Sequence, residues 1–165
     1  MLTHRTETAL RVAATAAWWC YRREGALAWR GFTIRTGDDS PAATELRMVV
    51  VAYKCILALR TLLKDMSCGM DQTTPTPLYT DSRSVEQGAA CEKVKSSSRW
   101  MATRYAMVRW RITCLTIILL AIASSNNPAD MMTKCVPKDA FFRHRAVLLG
   151  KAPPPEPTQA TPDAK

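Results

Sequence analysis

A long stretch in the middle of the chain, residues 44–64, most constrains its fold. It contains neither glycine nor proline, and its apolar side chains recur near helical spacing. They are Leu46, Val49, Val50, Tyr53, Ile56, Leu57 and Leu63. Because apolar residues also occupy the other faces, the pattern predicts a largely buried helix. Thr44 is its expected cap, and Glu45 falls in its first turn, where the helix dipole tolerates a negative charge.

Before and after this helix, segments with the pattern of strands alternate with segments that have the pattern of helices. The predicted strands are residues 25–35 with a bulge at Gly31, a short segment around Leu78 and Tyr79, and the apolar run 114–123. The further predicted helices are 84–90, 98–111 and 137–149, the last closed by Gly150. This order predicts an α/β fold with a parallel-type sheet edge.

The length of 165 residues is that of one ordinary domain with tails. We expect the domain to span 25–150 and the proline-rich segment 151–165 to be a disordered tail. Residues 1–24 are compatible with either helix or strand. The apolar run 114–123 is too short to cross a bilayer, so no membrane segment is expected.

The six cysteines are widely spread with no C-x-x-C pair, which argues against a zinc site and indicates a reducing compartment. The N-terminus carries only a faint targeting pattern, either a mitochondrial peptide or a poor signal sequence. The expected location is therefore the cytoplasm or nucleus.

The chain is strongly basic, with a formal charge of +9 and a pI near 9.6, which favours a polyanionic partner. Between residues 93 and 111 there are six basic residues, two tryptophans and no acidic residue. The predicted nucleic-acid-binding residues are Lys93, Lys95, Arg99, Trp100, Arg104, Arg109 and Arg111. On the 98–111 helix the predicted core stripe is Met101, Tyr105, Val108 and Ile112, with the charge on the opposite side. The alternative is a solvated basic face without a specific partner.

Three carboxylates fall at the ends of predicted elements. Asp81 follows a strand, Glu45 begins the long helix, and Asp130 lies in a first helical turn that Asn127 can cap and Pro128 can begin. One sheet edge could bring the three together. Because carboxylate oxygens suit hard divalent cations, they are candidate catalytic and metal-binding residues for Mg²⁺ or Mn²⁺, with two ions in an active site. Acids are also common at such positions simply because caps and helix dipoles favour them.

Four segments of the chain resemble the ribonuclease H domain of copia-type (Pseudoviridae) retrotransposon polyproteins. "GALAWR" resembles the family's glycine-to-tryptophan strand, and "ATELRMVVVAY" its helix carrying the metal-binding glutamate, at Glu45. "TPLYTDSRSV" is similar to the strand and turn with the second-strand aspartate, at Asp81. "NNPADMMTKCVPKDAFFRHRAVLLG" resembles the terminal segment, with Asp130 as the last acidic ligand.

The resemblance implies two-metal hydrolysis of the RNA strand of an RNA–DNA hybrid, with the remainder of a Pol polyprotein as a further partner. The resemblance also implies a ribonuclease H-like fold, a mixed sheet flanked by helices. The sequence departs from the family pattern. No counterpart of the family's first aspartate and opening central strand precedes "GALAWR", so this fold is expected to be incomplete and the activity weakened or lost. In "RWMATRYAM", Trp100 and Ala102 replace a histidine and an aspartate of the family. A catalytically inert, basic nucleic-acid-binding module is the alternative function.

Overall fold

The computed structural model describes residues 14–22, 25–34, 40–67, 73–91, 96–153 and 155–158. Its strands are β1 (Ala14–Arg22), β2 (Gly25–Ile34), β3 (Thr76–Thr80) and β4 (Ile117–Ala121). Its α-helices are α1 (Pro41–Asp65), α2 (Arg83–Ala90), α3 (Ala102–Thr113) and α4 (Lys138–Leu148). Short 3-10 helices occupy Ser96–Met101, Ser124–Asn126 and Pro128–Met132. The predicted mixed α/β class is confirmed.

The strands of the described residues form two separate two-stranded sheets. β1 and β2 pair antiparallel, and β3 and β4 pair parallel. The part of residues 1–24 that the structure describes is therefore a strand, not a helix. The predicted bulge at Gly31 is wrong, because Gly31 pairs regularly with Ala17; the register shifts instead between Cys20 and Tyr21. The helix α1 packs against both β1 and β3, so one helix joins the two sheets.

Helix α1 begins three residues earlier than the sequence pattern indicated. Ser40 caps it with extended backbone, and its Oγ accepts a hydrogen bond from the Ala43 N–H at 3.3 Å. Pro41 follows at the start of the helix, where the missing N–H costs nothing. The prediction of a Thr44 cap is thus wrong, and Glu45 lies beyond the first turn, which contains no acidic residue.

The core lies where α1 meets α2, α3 and β4. Its most deeply buried members, each at most 1% exposed, are Ala43, Leu46, Val85, Val108 and Ile117. The stripe predicted on α3 is confirmed: Met101, Tyr105 and Val108 are buried in this cluster and Ile112 packs against it. Removing these side chains from water supplies the main stabilisation of the helical layer.

Helices α2 and α3 approach each other closely at Gly88. A β-carbon built on Gly88 would lie 2.5–2.6 Å from three atoms of the Tyr105 phenol. The Tyr105 hydroxyl in turn donates a hydrogen bond to the Ser84 carbonyl at 3.4 Å. Glycine is therefore required at position 88 for Tyr105 to fill the space between the helices.

The end of α1 is tied to the start of β3 by a buried arginine. Arg60 is 6% exposed, and its Nη1 donates to the Thr74 carbonyl at 3.0 Å and to the Thr76 hydroxyl at 2.8 Å. These bonds satisfy a cation that would otherwise be costly to bury, and they set where β3 begins relative to the helix.

The chain after α3 turns through Leu115, whose φ of 51° is in the left-handed region, before entering β4. Helix α4 ends at Gly150 with a φ of 69°, as the sequence predicted. In the proline-rich segment, the Thr158 N–H donates to the carbonyl of Ala121 at the end of β4, at 2.8 Å. Among the helices of the described residues, none combines the length and apolar character needed to cross a bilayer.

Candidate carboxylate site

Asp81 is placed by the turn from β3 into α2, as the sequence predicted. The carbonyl of Thr80 accepts a hydrogen bond from the Ile122 N–H at 2.9 Å, which joins the ends of β3 and β4. The buried hydroxyl of Thr80 accepts from the Ser82 N–H at 3.2 Å. These two bonds fix the backbone on either side of Asp81. The half-buried Asp81 is therefore held at the end of the sheet.

Asp130 is placed by the 3-10 helix Pro128–Met132. The Asn127 side chain caps this helix by accepting from the Ala129 N–H at 3.1 Å, and Pro128 opens it, both as predicted. The side chain of Asp130 is only 15% exposed. Its main-chain carbonyl accepts from the N–H groups of Thr133 and Lys134 at 3.1 and 3.0 Å, which holds the following turn in place.

The charges of Asp81 and Asp130 both act on Glu45, the predicted residue of α1. Burial of the Glu45 carboxyl raises its pKa most, and the negative charges of Asp81 and then Asp130 raise it further. The charge of Lys134 lowers it in part. Three carboxylates from three separate elements therefore belong to one electrostatic cluster, which we call the carboxylate cluster: Glu45, Asp81 and Asp130.

Lys134 is a member of this site that the sequence analysis missed. Its Nζ lies 2.6 Å from Asp130 Oδ2. The hydrogen bond to Asp130 is the main cause of a raised Lys134 pKa; partial burial opposes it, and the charges of Asp130, Asp81 and Glu45 add to it. The signal in the sequence is the i,i+4 spacing of Asp130 and Lys134, which places such a pair on one side of a helical turn.

His144 is a second missed neighbour. It lies on α4, is 3% exposed, and belongs to the buried polar residues of the chain. Burial lowers its pKa most, the adjacent Arg143 lowers it as well, and the charge of Asp130 raises it. A single histidine on a helix gave no indication in the sequence that it would lie near an acidic site.

The donor chemistry of the carboxylate cluster suits a hard divalent cation, since carboxylate oxygens are the ligands that Mg²⁺ and Mn²⁺ prefer. The described residues do not form a closed ligand set. Among them, no three histidine, cysteine, aspartate or glutamate side chains lie close enough together to hold a metal ion. Instead, the Lys134 ammonium lies against one member of the cluster.

The predicted nucleic-acid surface is divided by the structure. Lys93 and Lys95 lie outside the described residues. Arg99 and Trp100 are exposed, and Arg104 is half-buried. The remaining two predicted residues, Arg109 and Arg111, contact neighbouring helices of the same chain.

Arg109 and Arg111 hold neighbouring helices together. Arg109 Nη1 donates to the carbonyls of Cys91 and, at 3.3 Å, Gly88, so it caps the end of α2. The Arg111 guanidinium lies 5.9 Å from the centre of the Tyr53 ring on α1, within cation–π range. Both arginines therefore have structural contacts in addition to their charge.

The outer face of α3 is largely apolar, so the expectation that charge lies opposite the core stripe is wrong. The exposed positions of α3 are Thr103, Ala106, Met107, Trp110 and Thr113, while Arg104, Arg109 and Arg111 are half-buried. Trp110 is 61% exposed. The spacing of the arginines along the helix did not show which way they face, because their long side chains can turn toward neighbouring helices.

Comparison with known proteins yields no match: no family model, no curated protein and no solved structure resembles the chain significantly. The features of the chain that bear on its function are therefore the carboxylate cluster and the basic surface around α3.

Proposed function

We propose that this chain is a ribonuclease H-like domain of copia-type retrotransposon origin, acting weakly on the RNA strand of an RNA–DNA hybrid. What supports this most is that, after burial, the charges of Asp81 and Asp130 both raise the pKa of Glu45. Glu45 lies on a long helix, Asp81 directly after a strand and Asp130 in a 3-10 helix, in the order along the chain that the family resemblance implies.

The chemistry follows from the carboxylates. Glu45, Asp81 and Asp130 would hold Mg²⁺ or Mn²⁺, and a pair of such ions activates water and stabilises the leaving oxygen in phosphodiester cleavage. The desolvated Glu45 and the fixed backbone around Asp81 provide preorganised negative charge for that purpose. The resemblance implies a fourth carboxylate on an opening strand. The described strands β1 and β2 contain neither aspartate nor glutamate, so the activity we propose is weaker than that of a complete domain.

The architecture supports an incomplete ribonuclease H-like sheet. β1–β2 and β3–β4 form separate sheets in the described residues, and α1 packs on both. In the proposal, one further strand between them would complete a mixed sheet of five strands. In the proposal this strand comes from the remainder of a Pol polyprotein, and the nucleic-acid substrate places the protein in the cytoplasm or nucleus.

The test is hydrolysis of an RNA–DNA hybrid labelled on its RNA strand, with Mg²⁺ or Mn²⁺ present. The expected result is slow cleavage that falls at least about tenfold in the Asp81→Asn variant. Asp139→Asn is the matched control, because Asp139 is an exposed aspartate on α4 outside the cluster. Equal cleavage by the Asp81→Asn variant and the wild type would refute the assignment.

A second candidate function, an inert nucleic-acid-binding module, is favoured by the exposed tryptophans beside basic side chains. Trp110 and Trp100 are 61% and 46% exposed. In the sequence Arg99 directly precedes Trp100, and Arg109 and Arg111 flank Trp110. Aromatic faces can stack on sugars or bases, while guanidinium groups neutralise phosphates. This function needs no carboxylate, so its binding survives Asp81→Asn.

Fluorescence anisotropy with a labelled hybrid at several salt concentrations tests this second candidate. We expect salt-sensitive binding that weakens about tenfold in Trp110→Ala. Phe142→Ala removes a comparably exposed aromatic ring from α4 and serves as the control. Binding without cleavage would favour this candidate over the nuclease, and unchanged affinity of Trp110→Ala would rule out the α3 surface.

A further inference from the structure

The proline-rich segment after α4 is attached to the protein at two points. At its start, the N–H groups of Lys151 and Ala152 donate to the carbonyl of Ala146 in the last turn of α4, at 2.8 and 3.2 Å. Further along, the backbone N–H of Thr158 donates to the carbonyl of Ala121, the last residue of β4, at 2.8 Å. The segment therefore connects the end of α4 to the end of β4.

The carbonyl of Ala121 lies on the outer edge of the β3–β4 sheet, on the side away from β3. Successive residues of a strand direct their backbone N–H and C=O groups to alternate sides of the strand. The carbonyl of Thr116 and the N–H of Ile122 both bond to β3, so the even-numbered residues between them face that strand. Ile117, Leu119 and Ala121 then direct their backbone groups outward. In the part of the chain that the structure describes, β4 pairs with β3 alone.

The composition of the segment suits it to covering such an edge. Four of the five residues between the two attachments, 153–157, are proline. Proline fixes φ, so a chain rich in it loses little conformational entropy when it docks. Proline also has no N–H to donate to a neighbouring strand. The segment can therefore cover an edge without becoming a new edge on which the sheet could grow.

We propose that residues 151–158 form a strap that guards the outer edge of β4, and that release of this strap lets the β4 edges of two copies of the chain pair. Unpaired backbone groups along an edge strand are a template for another strand. The β4 sequence, IILLA, is apolar and contains neither a charge nor a proline that would oppose such pairing. One hydrogen bond, from Thr158, holds the strap on this edge, so the strap can be released by a single substitution. This inference does not depend on the proposed nuclease function.

Docking of the strap is tested by backbone amide hydrogen exchange in the full chain, followed by NMR. The Thr158 amide should exchange at least about tenfold more slowly in the protein than in a free peptide of residues 151–165. The double variant Pro155→Gly/Pro157→Gly keeps the Thr158 N–H but makes the strap flexible, so this protection should fall severalfold. Glu156→Ala, at an exposed position of the strap, is the control and should retain the protection. Equal exchange of Thr158 in the protein and the peptide would overturn the strap.

The guarding role is tested by sedimentation velocity across a range of protein concentrations. Thr158→Pro removes the donor N–H, whereas Thr158→Ala keeps it, and circular dichroism verifies that both variants fold. The wild type and Thr158→Ala should remain monomeric, while Thr158→Pro should form dimers whose fraction rises with concentration. The flexible double variant of the strap should dimerise as well, which provides a second route to release.

Hydrogen exchange at Leu119 locates the new interface. Its N–H points outward from β4, so in the Thr158→Pro dimer it gains a partner and its exchange should slow as the protein concentration rises. Monomeric behaviour of both released variants would overturn the guarding role. Dimers in which Leu119 exchange does not slow would also overturn it, because the copies would then meet at another surface.

Discussion

Glu45 on α1 and Asp81 at the end of β3 lie far apart in the sequence, and yet the charge of Asp81 raises the pKa of Glu45. The connection depends on α1 packing across β3, with Leu46 buried beside Glu45 in the core. This relationship between a helix residue and a strand-end residue can be measured directly.

Replacing Asp81 with asparagine should lower the pKa of Glu45 toward its ordinary value, because one of two repelling charges is removed. Burial, the largest cause of the shift, would remain, so the pKa should stay raised. The measurement is a carbon-13 NMR titration of the Glu45 carboxyl. Glu86→Gln on α2 removes one negative charge elsewhere and should leave the titration unchanged; an unaltered Glu45 pKa in Asp81→Asn would contradict the cluster.

Replacing Glu45 with glutamine should stabilise the protein at neutral pH. The folded state raises the pKa of Glu45 above 4.5, so folding is most favoured when this group is protonated. That contribution is fully present below the unfolded pKa and is lost as pH rises through the folded pKa. Urea unfolding of wild type and variant should therefore agree below about pH 4 and diverge at neutral pH. A variant less stable than the wild type at pH 7 would contradict this expectation.

Replacing Gly88 with alanine should destabilise the protein by about 2 kcal/mol, because the new methyl group overlaps the Tyr105 ring. Tyr105 is 4% exposed and has little room to move. Chemical denaturation gives the free energy of unfolding. Gln87→Ala, at the exposed neighbouring position of α2, should be nearly neutral. A Gly88→Ala variant as stable as Gln87→Ala would show that the helices are not packed this closely.

Replacing Arg109 with glutamine should lower the free energy of unfolding by about 1–2 kcal/mol, since the carbonyls of Gly88 and Cys91 lose a charged donor. Arg99→Gln, at an exposed position before α3, should cost far less. Thermal unfolding of the two variants provides the comparison. Equal stability of both variants would mean that Arg109 serves only the surface charge.

Much of the local structure was predictable from the sequence. The α3 stripe of Met101, Tyr105 and Val108 followed from helical spacing, and Gly150 marked the end of α4. Asp81 between β3 and α2, and the capping of the Asp130 turn by Asn127, followed from turn and cap chemistry. These features depend on neighbours within a few residues, so the sequence alone carries them.

Other features depended on contacts between distant segments. The strand β1 exists through pairing with β2, although its alanine-rich sequence suited a helix equally well. The three arginines of α3 were expected to lie opposite the core, but Arg109 turns to the end of α2 and Arg111 to Tyr53. No local pattern specifies which neighbouring helix a long side chain will reach.

The sequence by itself determined the acids, their elements and the basic charge of the chain. Only the tertiary structure brought Glu45 and Asp81 near the Asp130–Lys134 pair, placed His144 close to Asp130 and divided the described strands into two sheets. The reason is physical: caps and periodicity act over one or two turns, whereas the charge felt by a carboxylate depends on every group that folding brings near it.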